Sequence, residues 1–160
     1  MELLGVRTEL PANTPVVLLR EVAEPSRLLP ILIGMVEATA IQVGSEGIMP
    51  PRPLTHDLAV TVISALGGTL ERVVITEIRE HTFFAELHVR TPSGETIVSS
   101  RPSDAIALAV RVDAPIFAEE SLLDEVAKPV DDDADEGDPE AILDEFRDFL
   151  DDVTPDDFAS

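Results

Sequence analysis

Six residues, Ala105-Ile106-Ala107-Leu108-Ala109-Val110, constrain this chain more than any other stretch. They are apolar nearly all round and follow Arg101-Pro102-Ser103-Asp104, which places proline and short polar residues where a first helical turn accepts them. A helix without a polar face has to be enclosed by the rest of the chain. This one is therefore predicted to be central and buried.

The enclosing elements are legible on both sides. Residues 69–79 and 82–90 read as strands, and in the second Phe83, Ala85, Leu87 and Val89 alternate with Phe84, Glu86, His88 and Arg90. After the turn Thr91-Pro92-Ser93-Gly94, residues 95–100 pair back, giving a three-stranded antiparallel meander. Upstream, residues 3–10 and 15–21 form a hairpin around Pro11-Ala12-Asn13-Thr14. The run Leu28-Leu29-Pro30-Ile31-Leu32-Ile33 is too short for a helix and reads as a strand buried on both faces, with Pro30 marking an edge or a bulge. Pro115-Ile116-Phe117-Ala118 is a further short strand, followed by a turn of helix around residues 121–126.

Two more helices lie between these strands. One runs from Met35 to about Ser45, with Ala38 and Ile41 facing inward and Glu37 in its first turn. The other is expected to take Thr55 as N-cap, to turn Leu58, Ala59, Val62, Ile63 and Leu66 to the core, and to stop at Gly67-Gly68. The fold class is α+β, a single domain over residues 1–126 with a mixed, largely antiparallel sheet packed by helices. Residues 127–137 read as an acidic flexible linker whose like charges repel. In residues 138–160, Asp138 caps and Pro139 starts an acidic amphipathic helix with Ile142, Phe146, Phe149, Leu150 and Val153 on one face. That stripe needs a partner surface, on this molecule, on a symmetry mate or on another protein.

Charge and composition narrow the functions. The net charge is -21, and residues 127–160 hold 14 acids against Lys128 and Arg147, so -12 of it lies there and -9 before. Neither part has the basic surface by which proteins usually neutralise phosphates. Aromatics are 4% of residues, with no Trp or Tyr, so the surface is poor in rings and single-strand binding by base stacking is disfavoured. No Cys is present, which removes disulfides, thiolate metal sites and cysteine nucleophiles. The longest apolar stretch, Leu28 to Val36, is well short of the ~20 residues of a membrane span, and no basic segment with an apolar run opens the chain. A cytoplasmic protein with no membrane partner is expected.

Several motifs stand in a telling order. They are Arg27-Leu28-Leu29-Pro30-Ile31-Leu32-Ile33-Gly34, Glu37-Ala38 with Ala40-Ile41, Pro51-Arg52-Pro53-Leu54-Thr55-His56-Asp57-Leu58, Arg101-Pro102-Ser103-Asp104-Ala105-Ile106-Ala107-Leu108-Ala109, and Pro115-Ile116-Phe117. Together they resemble the successive signatures of the bifunctional nuclease family, over most of residues 1–126. Leu32 stands where the family usually carries an aromatic, a difference of packing. The ending Phe149-Leu150-Asp151-Asp152-Val153-Thr154-Pro155-Asp156-Asp157-Phe158 is similar to that of members from GC-rich bacteria. The resemblance implies a compact domain that self-associates as a homo-oligomer, and an activity on DNA and RNA in at least some members.

Phosphodiester hydrolysis needs an activated water, stabilisation of charge on phosphorus, and protonation or metal capture of the leaving oxygen. His56 suits a general base or acid, with Asp57 and Asp104 as its catalytic companions. Arg52, Arg101 and Ser103 suit phosphate oxygens, and Glu37, Asp57 and Asp104 suit a divalent cation, Mg or Mn. Helix chemistry alone also accounts for much of this. Ser103 and Asp104 are capping residues, Asp57 and Glu37 complement helix dipoles, and the two arginines could pair with those same acids. His56 is the residue least explained by capping, whereas His81 and His88 are expected to be solvated. A non-catalytic oligomeric module that binds a small anion or a protein partner in the same cleft is the alternative.

Overall fold

In α3 (Pro102–Val112), Ala105, Ile106 and Ala107 are fully buried, and only Asp104 and the C-terminal turn reach solvent. The computed structural model describes residues 1–9 and 14–129. The helix expected over 138–160, and the linker from residue 130 onward, lie outside them.

Two sheets and three further helices enclose α3. The first sheet has the order β1-β2-β3-β8, from β1 (Glu2–Glu9), β2 (Thr14–Arg20), β3 (Arg27–Leu32) and β8 (Lys128–Pro129), all antiparallel. The second has the order β6-β5-β4-β7, from the expected meander β4 (Thr69–Arg79), β5 (Thr82–Thr91) and β6 (Gly94–Ser100), with β7 (Ile116–Ala118) added parallel to β4. α1 (Met35–Ser45) lies against α3 and the first sheet, α2 (Thr55–Ala65) against α3, and α3 itself rests on β4 and β5. α4 (Glu120–Val126) buries Leu122 and Leu123. The domain is α+β.

One aliphatic core joins these layers, with Leu19, Leu29, Ile41, Ile75, Ile106 and Leu122 among its fully buried members. Each such side chain contributes about 1.5–3 kcal/mol relative to exposure. Arg27 fastens α4 to β3 by bonding Glu21, Glu120 and Asp124 together. The amino terminus donates to the Ile116 carbonyl at 2.7 Å, which ties the start of the chain to β7.

Pro30 sits where its missing N–H does no harm. Ile33 N–H donates to the Pro15 carbonyl and Glu21 N–H to the Arg27 carbonyl, so the bonded pairs of β2 and β3 fall on odd residues. Pro30, opposite Leu18, occupies a non-bonded pair, and β8 covers only Arg27 and Leu28 on the other side. The edge reading of this proline holds.

The orientation of α2 departs from expectation in two ways. Leu54, not Thr55, is the N-cap residue, and its N–H donates to Asp57 Oδ2 at 2.8 Å. Ala59, Val60 and Ile63 face the core, while Leu58, Val62 and Leu66 are exposed, Leu66 at 78%. The apolar stripe is wider than one face of a helix, so hydrophobicity leaves the rotation open. His56 and Asp57 settle it by binding α3.

Candidate active site

The first turns of α1, α2 and α3 meet around one guanidinium. Arg101, the N-cap residue of α3, donates from Nε to Asp104 Oδ2 at 2.7 Å and from Nη2 to Asp104 Oδ1 at 3.1 Å. Its Nη1 donates to Glu37 Oε1 at 3.0 Å, in the first turn of α1. His56 Nε2, from the first turn of α2, lies 3.1 Å from Asp104 Oδ1.

Asp104 fixes the chemistry of His56. Burial pushes the Asp104 carboxyl up, but the Arg101 bonds and then the His56 bond outweigh it, and the group titrates below its ordinary value. It is a carboxylate at neutral pH and can only accept. The Nε2 of His56 therefore carries the proton and donates, and in the neutral ring Nδ1 keeps a lone pair for a proton from elsewhere. Arg101 uses three of its five N–H donors in this network, and its side chain is 64% exposed, so two remain for another ligand.

Asp57 belongs to a second cluster. Arg111, in the last turn of α3, donates from Nε to Asp57 Oδ1 and from Nη1 to the carbonyls of Ala40 and Ala107. The Arg111 bond, followed by the Leu54 N–H, holds Asp57 below the usual carboxylate range. The Arg111 side chain is 7% exposed, and its buried Nη2 has no partner among the described residues. Gly44 of α1 makes room for it, since a Cβ there would lie 2.5 Å from Arg111 Nη1.

The structure thus brings Glu37, His56, Arg101 and Asp104 together and turns Asp57 away from them. Arg52 is exposed in the loop before α2, without a hydrogen bond or ion pair among the described residues. Ser103 is buried beside a cavity of about 400 Å³ that Arg101 and Glu37 also line. His81 is exposed, yet it too lines this cavity. His88 is not solvated: it is 8% exposed, with Nδ1 2.8 Å from Arg72 Nη2 and 3.0 Å from Glu95 Oε1. Long side chains from the neighbouring strands close over what alternation marks as a wet face.

A divalent cation does not fit this arrangement as it stands. Glu37 and Asp104 share the guanidinium of Arg101, which fills the place of a cation between them, and Asp57 faces Arg111. Among the described residues no group of three or more His, Cys, Asp or Glu side chains is set to hold a metal ion.

The pattern of the bifunctional nuclease domain matches residues 17–131, more than half of the chain. The chain belongs to the bifunctional nuclease domain family. It is also 44% identical over 162 residues to uncharacterised proteins from two strains of Mycobacterium tuberculosis, covering 99% of this chain and 96% of each relative. In this bifunctional nuclease domain the matched span contains Glu37, Arg52, His56, Asp57, Arg101, Ser103 and Asp104. It also contains Arg111, which sequence reasoning missed. The available signal was spacing, because Asp104 and Arg111 are seven residues apart and so share one face of α3.

Proposed function

We propose that the chain is a cytoplasmic nuclease that hydrolyses phosphodiester bonds in DNA and RNA with broad specificity. The observation that carries this reading is the His56–Asp104 pair beside Arg101. His56 Nδ1 takes a proton from water, the water oxygen bonds to phosphorus, and the P–O bond to the leaving oxygen breaks, that oxygen taking a proton from solvent. Asp104 stabilises the imidazolium as it forms, and the free donors of Arg101 and Arg52 meet the phosphate oxygens.

Divalent-metal assistance by Mg or Mn through Glu37, Asp57 and Asp104 requires Arg101 to move off Glu37 and Asp104 and Asp57 to leave Arg111, and no step above depends on it. The test is cleavage of single-stranded DNA and RNA, with and without chelator, by the wild type and by His56→Ala and Asp104→Ala variants of unchanged melting temperature. His56→Ala is expected to lose roughly 100-fold or more, the range of general-base catalysis. Equal residual activity in all three proteins assigns the cleavage to a contaminant.

The exposed apolar face of α2 favours a second reading, a non-catalytic homo-oligomeric module that binds a small anion or a protein partner in the same cleft. In that case no preparation turns over substrate, and the melting temperature rises with ligand concentration.

A further inference from the structure

The cavity beside Arg101 is bounded by the end of β3, the first turns of α1 and α3, and the turn from β4 to β5. Most of its lining is carbon, from residues such as Leu32, Ile33, Ile78 and Phe83. Its volume of about 400 Å³ falls in the range of pockets for small organic ligands.

The polar groups on its wall are few and specific. Ser103 is 6% exposed and lines the cavity, and its hydroxyl has no hydrogen-bond partner among the described residues, so it is free to bond a ligand there. His81 reaches the wall from a two-residue hairpin turn in which Glu80 and His81 both have positive φ, 49° and 61°. Asn and Gly fill such a turn at lowest energy, and His is among the other residues that accept positive φ.

Charge decides what enters. Arg101 is shared between Glu37 and Asp104, so a phosphate deep in the cavity would face Glu37 as well as the guanidinium. A flat, uncharged group with apolar faces and hydrogen-bonding edges matches the wall better. A nucleobase has this chemistry, with faces for Phe83 and Ile78 and edge atoms for Ser103 and His81. At a net charge of -21 the chain also has little means of holding a polymer by phosphates alone.

We propose that this cavity is a nucleobase pocket, which admits one unstacked base from a single strand or a chain end beside Arg101, the partner of Asp104. The proposal rests on the nuclease reading and narrows its substrate, since a base paired within a duplex has to leave the stack to enter.

Calorimetric binding of AMP and of ribose 5-phosphate to the full chain tests it without turnover. AMP is expected to bind at least about tenfold tighter, the worth of a buried stacked base. Thr82→Trp, at an exposed position that lines the cavity, is expected to remove that advantage and leave ribose 5-phosphate unaffected. His81→Gly suits the turn, so it is expected to keep or raise the melting temperature while weakening AMP. AMP binding no tighter than ribose 5-phosphate, or indifferent to both substitutions, overturns the pocket even where His56-dependent cleavage persists. AMP binding that Thr82→Trp blocks, in a protein without His56-dependent cleavage, keeps the pocket and overturns the nuclease reading.

Discussion

Arg111 reaches from the last turn of α3 to Asp57 in the first turn of α2, across 54 residues of sequence. His56 is the next residue to Asp57, so the ion pair that anchors this turn also holds the imidazole against Asp104.

Removing the two partners of this pair is not equivalent. Asp57→Ala leaves a buried guanidinium without a counter-charge and is expected to destabilise the protein by about 2–4 kcal/mol in urea denaturation. Arg111→Met fills the same space with carbon and leaves an Asp57 that is 28% exposed and still bonded to the Leu54 N–H. Its loss is expected to be the smaller, about 1–2 kcal/mol. The reverse order would mean that packing, not charge, dominates this contact.

Stability should fall on acidification. Asp57, held down by the Arg111 bond, and Asp104, where the Arg101 and His56 bonds outweigh burial, both titrate lower folded than unfolded. The unfolded chain then binds more protons between the two values. The stabilisation is complete above the ordinary carboxylate range near pH 4 and is lost as pH drops through the lower folded values. Melting temperature against pH should show this, and the curve of Asp57→Asn should be flatter below about pH 4.

Gly44 is required by the approach of α1 to α3. A Cβ would meet Arg111 Nη1 at 2.5 Å and Val110 Cγ2 at 2.8 Å. Gly44→Ala is expected to lose about 1–3 kcal/mol despite the helix preference of alanine, as overpacked sites do. A variant as stable as the wild type would show that Arg111 can yield.

Arg101 competes with cations for Glu37 and Asp104. Arg101→Met frees both carboxylates, and calorimetric titration with Mn²⁺ is expected to show tighter binding than in the wild type. Equal affinity in the two proteins would place any cation elsewhere.

Local patterns were readable in the sequence, and contacts between distant polar groups were not. The enclosure of α3, the meander and the placing of Pro30 follow from apolar runs, alternation and the missing proline donor, all properties of neighbouring residues. Arg101 does pair with Asp104, as the salt-bridge alternative allowed. The rotation of α2 was hidden because Leu58, Val62 and Leu66 are as apolar as the face that is buried. Arg111 is a basic residue at a helix end with no local mark of burial, which depends on Gly44 and Asp57, neither of them near it in sequence. His88 alternates as a surface residue, and Arg72 and Glu95, brought in by other strands, help to cover it.

The seven-residue interval from Asp104 to Arg111 also bears on how this chain can vary in length. One anchor receives His56 and the other receives Asp57, so both must point the same way from α3. A single inserted or deleted residue between them would swing one anchor about 100° around the helix axis relative to the other. Length changes between these positions should therefore be absent from working versions of the domain, however freely its loops grow or shrink.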